Sequence, residues 1–289
     1  MTDHAKGIGL VVLGVCVLAP DAALIRLITA DTWTLLFWRG LGFFSVLAVL
    51  SLLRYGAGLP RQVIDHGRAG LGIVVCFSAC QMSFVNGVEL TNPAHVLVLV
   101  AATPIFAALS SRLLLGERLT RATGLAIVFG LAGVLVTLSG SLTGGGRWQG
   151  DLLAAVVPIS LGLAFTLTRR TQARDTWALY ALAGLLTSLV AFIPGAPLSP
   201  RGDDILWLGL LALVIAPVSF ALISLGPRFI PAAEVSLLML LETILGPIWV
   251  WLVVREPPTP QAVVGGLIIL TTLALHTRAR LRTARPAPA

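Results

Sequence analysis

Residues Gly87–Thr120 read GVELTNPAHVLVLVAATPIFAALSSRLLLGERLT, and Gly226–Thr259 read GPRFIPAAEVSLLMLLETILGPIWVWLVVREPPT. Laid together without a gap, they pair Ala94 with Ala233, Val96 with Val235, Leu99 with Leu238 and Leu113 with Leu252, and end on Glu117 with Glu256 and Thr120 with Thr259. A second match starts upstream of each. Asp31-Thr32-Trp33 and Asp175-Thr176-Trp177 each lead an apolar run, in which Leu35 pairs with Leu179, Gly40 with Gly184 and Leu41 with Leu185. The identities are sparse, as expected of an old internal duplication. Each half carries five hydrophobic stretches. Five is odd, so the second half enters a membrane from the side opposite the first, the arrangement of an inverted repeat.

The surroundings of these stretches fix the solvent. The chain is 57% hydrophobic and 11% charged, against about 25% charged residues in a soluble domain. Lipid must therefore be the solvent for most of the surface, and a helix is the only open-chain element that satisfies its own backbone there. Ten spans are expected, at 7–29, 32–53, 69–90, 93–115, 121–141, 150–169, 176–194, 204–225, 231–254 and 259–277. The fold class is an all-α membrane protein: ten transmembrane helices in two inverted five-helix repeats around a central cavity. The expected divisions are 1–143 and 150–277 for the repeats, 144–149 for a glycine-rich linker and 278–289 for a disordered basic tail.

Charge sets the orientation. With the N-terminus inside, fifteen Lys and Arg fall on the inner side and four on the outer, with Arg39 inside a span. Positive-inside bias then puts both termini in the cytoplasm of a bacterial inner membrane. The net charge of +7 belongs to these loops and calls for no nucleic acid. Cys16, Cys76 and Cys80 all lie within apolar stretches. No His or carboxylate near Cys76 and Cys80 completes a metal set, and no cofactor is expected. Without a Walker A sequence the chain does not hydrolyse ATP, and no paired catalytic groups lie at depth, which argues against an intramembrane enzyme.

Further residues carry a family resemblance. Thr103-Pro104, then Gly116-Glu117-Arg118-Leu119-Thr120, then Gly124, Gly130 and Gly133-Val134, together with Trp38-Arg39 and the duplicated ten-span plan, resemble the EamA-type branch of the drug/metabolite transporter superfamily. Within it the chain is most similar in character to bacterial exporters of aromatic and other hydrophobic amino acids. The resemblance implies a cavity built from spans that include three, four, eight and nine, and secondary transport of a small molecule by alternating access. Nucleotide sugars and small cationic drugs are the alternative cargoes. The second half departs from the pattern: Ala183 stands where the repeat would place an arginine, and Arg255-Glu256-Pro257-Pro258 replaces the Gly-Glu-x-Leu stretch.

Polar groups at membrane depth are the site candidates, because they are costly there. Glu242 is about 16 Å into span nine and Gln81 about 18 Å into span three, both near the midplane. Glu242 could hold an ammonium group or carry a coupling proton, and Gln81 can both donate to and accept from an amino acid. Ser78 and Phe77 share the Gln81 face. Thr103, the repeat partner of Glu242, and Met239 lie at similar depth; Trp38 could offer a stacking face, and His95 sits near the outer start of span four as a cap or a proton switch. Asp21 and Arg39 fall at similar depths on adjacent spans and are expected to form a structural ion pair. Glu117 and Glu256, at helix ends, are expected to bind arginines or the start of the next helix, and the remaining tryptophans to anchor at the interfaces.

Overall fold

The computed structural model describes residues 3–91, 93–139, 147–171, 176–194, 200, 202–255 and 260–283. Asn92, Gly144–Gly146, Asp175, Glu256 and the chain beyond Thr283 lie outside the described residues, as does the side chain of His95.

Among the described residues, nine helical stretches are long and apolar enough to cross a membrane, and a tenth, Trp177–Phe192, is apolar but shorter. In chain order the helices are α1 (Asp3–Leu18), α2 (Asp21–Leu27), α3 (Thr32–Tyr55), α4 (Leu59–Ile64), α5 (Gly67–Leu90), α6 (Pro93–Val100), α7 (Thr103–Leu115), α8 (Arg121–Leu138), α9 (Trp148–Arg170), α10 (Trp177–Phe192), α11 (Asp204–Leu210), α12 (Ala216–Ile223), α13 (Ala232–Met239), α14 (Glu242–Val254) and α15 (Pro260–Thr283). Thus α1 and α2 share span one, α6 and α7 span four, α11 and α12 span eight, and α13 and α14 span nine. The short α4 joins spans two and three. The chain is a multi-pass, all-helical membrane protein.

Several boundaries differ from the sequence expectation. Span one is not a continuous helix over 7–29: it starts at Asp3, breaks after Leu18 and ends at Leu27. Pro20 lacks the N–H that would continue the ladder. Span ten does not give way to a disordered strand after Thr277, because α15 carries Arg278 and its neighbours on to Thr283. Span eight passes through a π segment at Leu211–Ile215 just before Pro217, where the wider turn accommodates the proline. Pro158 and Pro247, by contrast, sit inside unbroken helices.

The breaks in spans four and nine fall at the same place in the repeat. Residues 101–102 and 240–241 are equivalent in the gapless register, and both tighten to i→i−3 bonds: Ala102 N–H to Leu99 O, and Leu240 N–H to Leu237 O. A threonine hydroxyl covers a freed carbonyl in each, Thr103 on Val100 and Thr243 on Leu240. The far ends of α7 and α14 match as well. Gly116 (φ 69°) and Arg255 (φ 65°) are repeat equivalents, and both close their helix in the left-handed conformation. Glycine adopts it without strain, whereas an L side chain costs about 1–2 kcal/mol there. Arg255→Gly is expected to raise stability by about 1 kcal/mol, read as a higher thermal unfolding midpoint in detergent; an unchanged or lower midpoint would show that the Arg255 side chain contributes more than the strain costs.

Packing follows the repeat. Span two packs on seven, five on ten and four on nine, while three packs on six and one on eight. Exchanging each span with its counterpart five places on leaves the first three pairs unchanged and swaps the last two. The helices have no hydrophobic drive to associate in lipid, so close approach of small residues takes its place. A Cβ built on Gly40 would lie 2.6 Å from the Gly184 carbonyl oxygen, and one on Gly184 would lie 2.8 Å from that of Gly40. Gly133 and Gly265 approach in the same way between α8 and α15. At the head of α3, Asp31 accepts from the Trp33 and Thr34 N–H groups and from the Thr34 hydroxyl. Burial pushes its carboxyl up, but these hydrogen bonds together outweigh it and hold the carboxyl below its ordinary value.

Candidate functional site

Span one and span nine are each broken within their length, and each second half opens on a carboxylate: Asp21 is the first residue of α2 and Glu242 the first of α14. A helix start favours a negative charge there. The two half-helices pack side by side. Arg39, from the uninterrupted α3, reaches both carboxylate oxygens of Asp21, with Nη2 3.0 Å from Oδ1 and Nη1 donating to Oδ2 at 3.2 Å. Both side chains are nearly enclosed, at 11% and 7% exposure. Glu242 is half-buried and lies within electrostatic reach of both partners. The guanidinium thus pairs with Asp21, and Glu242 stands beside that pair. In the second half the position equivalent to Arg39 is Ala183, fully buried, so this charge cluster has no counterpart there.

The structure divides the other candidates between this cluster and the core. Cys80, just before Gln81 on α5, lies within reach of the Arg39 charge. The Gln81 Nε2 is enclosed and has no hydrogen-bond partner among the described residues, leaving an amide donor for something that enters. Met239 ends α13 directly before the break and is partly buried. Phe77 and Ser78 serve packing instead. Phe77 lies against Phe43, Tyr180 and Phe220, and the Ser78 hydroxyl bonds Thr187 across to α10 at 3.0 Å. The Thr103 hydroxyl is held by Val100. Trp38 stands edge-on to Phe37 at an exposed position, pointing away from the core.

One end of the bundle is the end where α1 starts and α15 finishes. There the near halves of spans four and nine, α7 and α13, pack together. Arg169 at the end of α9 donates to Glu117 at 3.1 Å and to the carbonyls of Pro227 and Arg228 at 3.0 and 3.3 Å. Of the two partners expected for Glu117, an arginine or the start of the next helix, the structure shows an arginine, and it comes from span six. The space left between spans four, five and nine is about 40 Å³, room for roughly one water. At the opposite end α6 packs on α9 and α5, and α14 on α2 and α15.

Sequence reasoning missed Glu234. It lies in the first turn of α13, 3% exposed, with the His4 Nε2 3.3 Å from its carboxylate. A signal was available, since position 234 is the repeat equivalent of His95, another titratable group one turn into its span. Also missed were two ties at the far end. Asp204 accepts from the backbone and hydroxyl of Thr29, both at 2.9 Å, and Asp151 accepts from the Thr91 hydroxyl at 2.8 Å.

Comparison with known proteins agrees with the fold. The chain is similar to an uncharacterised transporter of Archaeoglobus fulgidus, 24% identical over 270 residues that cover 93% of this chain and 95% of that one. It is also similar in fold to a protein solved by crystallography, with a TM-score of 0.78 at 18% identity, covering 94% of this chain and 98% of the other. The sequence profile of one family matches twice, over residues 5–139 and again over 148–278, once for each half. Both halves carry the family pattern, and the chain belongs to the EamA-like transporter family.

Proposed function

We propose that the chain is a secondary transporter exporting small amphipathic metabolites, first among them aromatic and other hydrophobic amino acids, across a bacterial inner membrane by alternating access. The carrying observation is the Asp21–Arg39–Glu242 cluster at the helix breaks of spans one and nine. Asp21 and Arg39 neutralise one another, which leaves Glu242 as the carboxyl group with no cation of its own among the described residues. A substrate ammonium group would complete it. The enclosed amide of Gln81 offers a donor for the substrate carboxylate, and Met239 with partly buried Leu241 supplies apolar surface for a side chain. Proton coupling fits the same group, since a proton and an ammonium would compete for one carboxylate. In this reading Arg169 and its three partners form a gate at the end of the bundle where α1 starts and α15 ends.

The cluster disfavours a nucleotide sugar, whose phosphates want several free cations, whereas Arg39 is already paired. It favours, as a second reading, a small cationic compound held by Glu242 alone.

Efflux of phenylalanine, leucine and a cationic amine from proteoliposomes, with and without a pH gradient, separates the readings. Glu242→Gln is expected to weaken substrate binding by about 1–3 kcal/mol, the worth of a charged hydrogen bond. It should also flatten the dependence of transport on the gradient. Binding and pH dependence both equal to the parent would remove Glu242 from the site.

A further inference from the structure

An apolar groove of about 370 Å³ runs along the outside of the bundle between α5 and α10, starting at the end that carries the termini. Gly70 and Leu71 form one wall and Leu186 and Leu189 the other, while Val63 and Ile64 of α4 close its base. The groove exists because Gly70 presents no side chain to α10 and because α4 folds back under both helices, entered and left through Gly56 and Gly67 at positive φ. Its walls extend from Leu179 to Leu189 along α10. Ten residues of helix rise about 15 Å, which is half of a hydrocarbon core of about 30 Å. The groove therefore matches the depth of one leaflet.

Two cations adjoin the lining residues Val63, Ile64 and Gly67 in the chain. Arg61 on α4 and Arg68 in the first turn of α5 are exposed, and neither forms an ion pair among the described residues. The other charged or titratable groups nearby are engaged. Asp65 has a partner of its own, Arg54 stacks over Trp177 and Tyr55, and buried His66 has its Nδ1 2.6 Å from the Gln62 carbonyl.

We propose that this groove is the binding site of an anionic phospholipid: one acyl chain lies between α5 and α10, and the phosphate bridges Arg61 and Arg68. Arginines beside an apolar surface at the bilayer boundary attract an anionic head group, and the guanidinium fork matches phosphate oxygens. A second copy of this chain suits the groove less well. A two-fold contact places each patch on its own duplicate, which would bring Arg61 and Arg68 against their own equivalents.

Native mass spectrometry of the delipidated full chain in detergent tests this, with phosphatidylglycerol and phosphatidylcholine of identical chains added at equal concentration. The parent is expected to retain one phosphatidylglycerol with at least a fivefold preference. The double change Leu71→Trp with Leu186→Trp fills the groove and should lower that occupancy at least tenfold without moving the thermal unfolding midpoint. Arg61→Gln with Arg68→Gln alters only exposed positions, so it remains informative if the tryptophan variant fails to fold; it should reduce phosphatidylglycerol to the level of phosphatidylcholine. Equal retention of the two lipids by the parent, or unchanged phosphatidylglycerol occupancy in either folded variant, overturns the proposal. So does a dimer that the tryptophan changes dissociate, which would assign the groove to a second copy.

Discussion

Arg39→Gln should destabilise the protein by about 3–5 kcal/mol, the cost of breaking a buried pair and leaving its partner charged. Asp21→Asn should cost less. Removing the guanidinium leaves two carboxylates, Asp21 and Glu242, without a cation, whereas removing Asp21 leaves Arg39 with Glu242 still in reach. The double change Asp21→Asn with Arg39→Gln should recover part of the loss, because it leaves only Glu242 unmatched. Thermal unfolding of the four proteins in one detergent, with folded yield from size-exclusion chromatography, gives the ordering. Equal losses from the two single changes would mean that Glu242 does not share the guanidinium. No loss from either would remove the pair from the stability of the fold and leave it a transport role alone.

Gly265→Ala should be nearly as damaging, although it adds one carbon. The new Cβ would lie 2.2 Å from the Thr137 hydroxyl, 2.4 Å from the Gly133 carbonyl oxygen and 2.5 Å from the Thr137 nitrogen. Two of these are backbone atoms and cannot rotate away, so α8 and α15 must separate. Overpacking of this kind costs about 1–3 kcal/mol and occasionally more. The adjacent Gly266→Ala is the control. Its Cβ would meet only the Ile244 side chain at 3.5 Å, an ordinary contact, and replacing a helical glycine with alanine gains up to about 1 kcal/mol. The two neighbours should therefore shift the unfolding midpoint in opposite directions. A Gly265→Ala protein as stable as its parent would show that the two spans have slack that the static packing does not reveal.

The parts of the fold that were legible in the sequence rest on period and depth. Lipid forces helices, so the apolar runs gave the spans, and helical rise alone put Asp21 level with Arg39 and Glu242 near the midplane. The breaks were less legible because proline is an unreliable guide to them in this chain. Pro20 marks a break, yet Pro158 and Pro247 do not, and the break at residues 240–241 has a leucine at both positions. It depends on how α13 packs against α7, which is tertiary information. The same holds for Phe77 and Ser78. Their spacing places them on the Gln81 face, but whether that face meets a cavity or another helix depends on the partner, and the partners are Tyr180 and Thr187, about a hundred positions away. Glu234 was overlooked for a different reason. A carboxylate near a span's start passes for an interfacial residue until the N-terminal helix is seen to cover it.

The crossing of Gly40 and Gly184 has one more consequence. Each is the other's repeat equivalent, and each is the other's nearest steric neighbour. In a self-complementary interface one residue meets its own copy across the symmetry axis. A single five-span half paired with an inverted duplicate of itself about a two-fold axis would make this contact without any change of residue. The fusion of the two halves therefore did not need to invent the junction on its axis, and divergence between the halves was free to proceed everywhere that the two backbones do not touch.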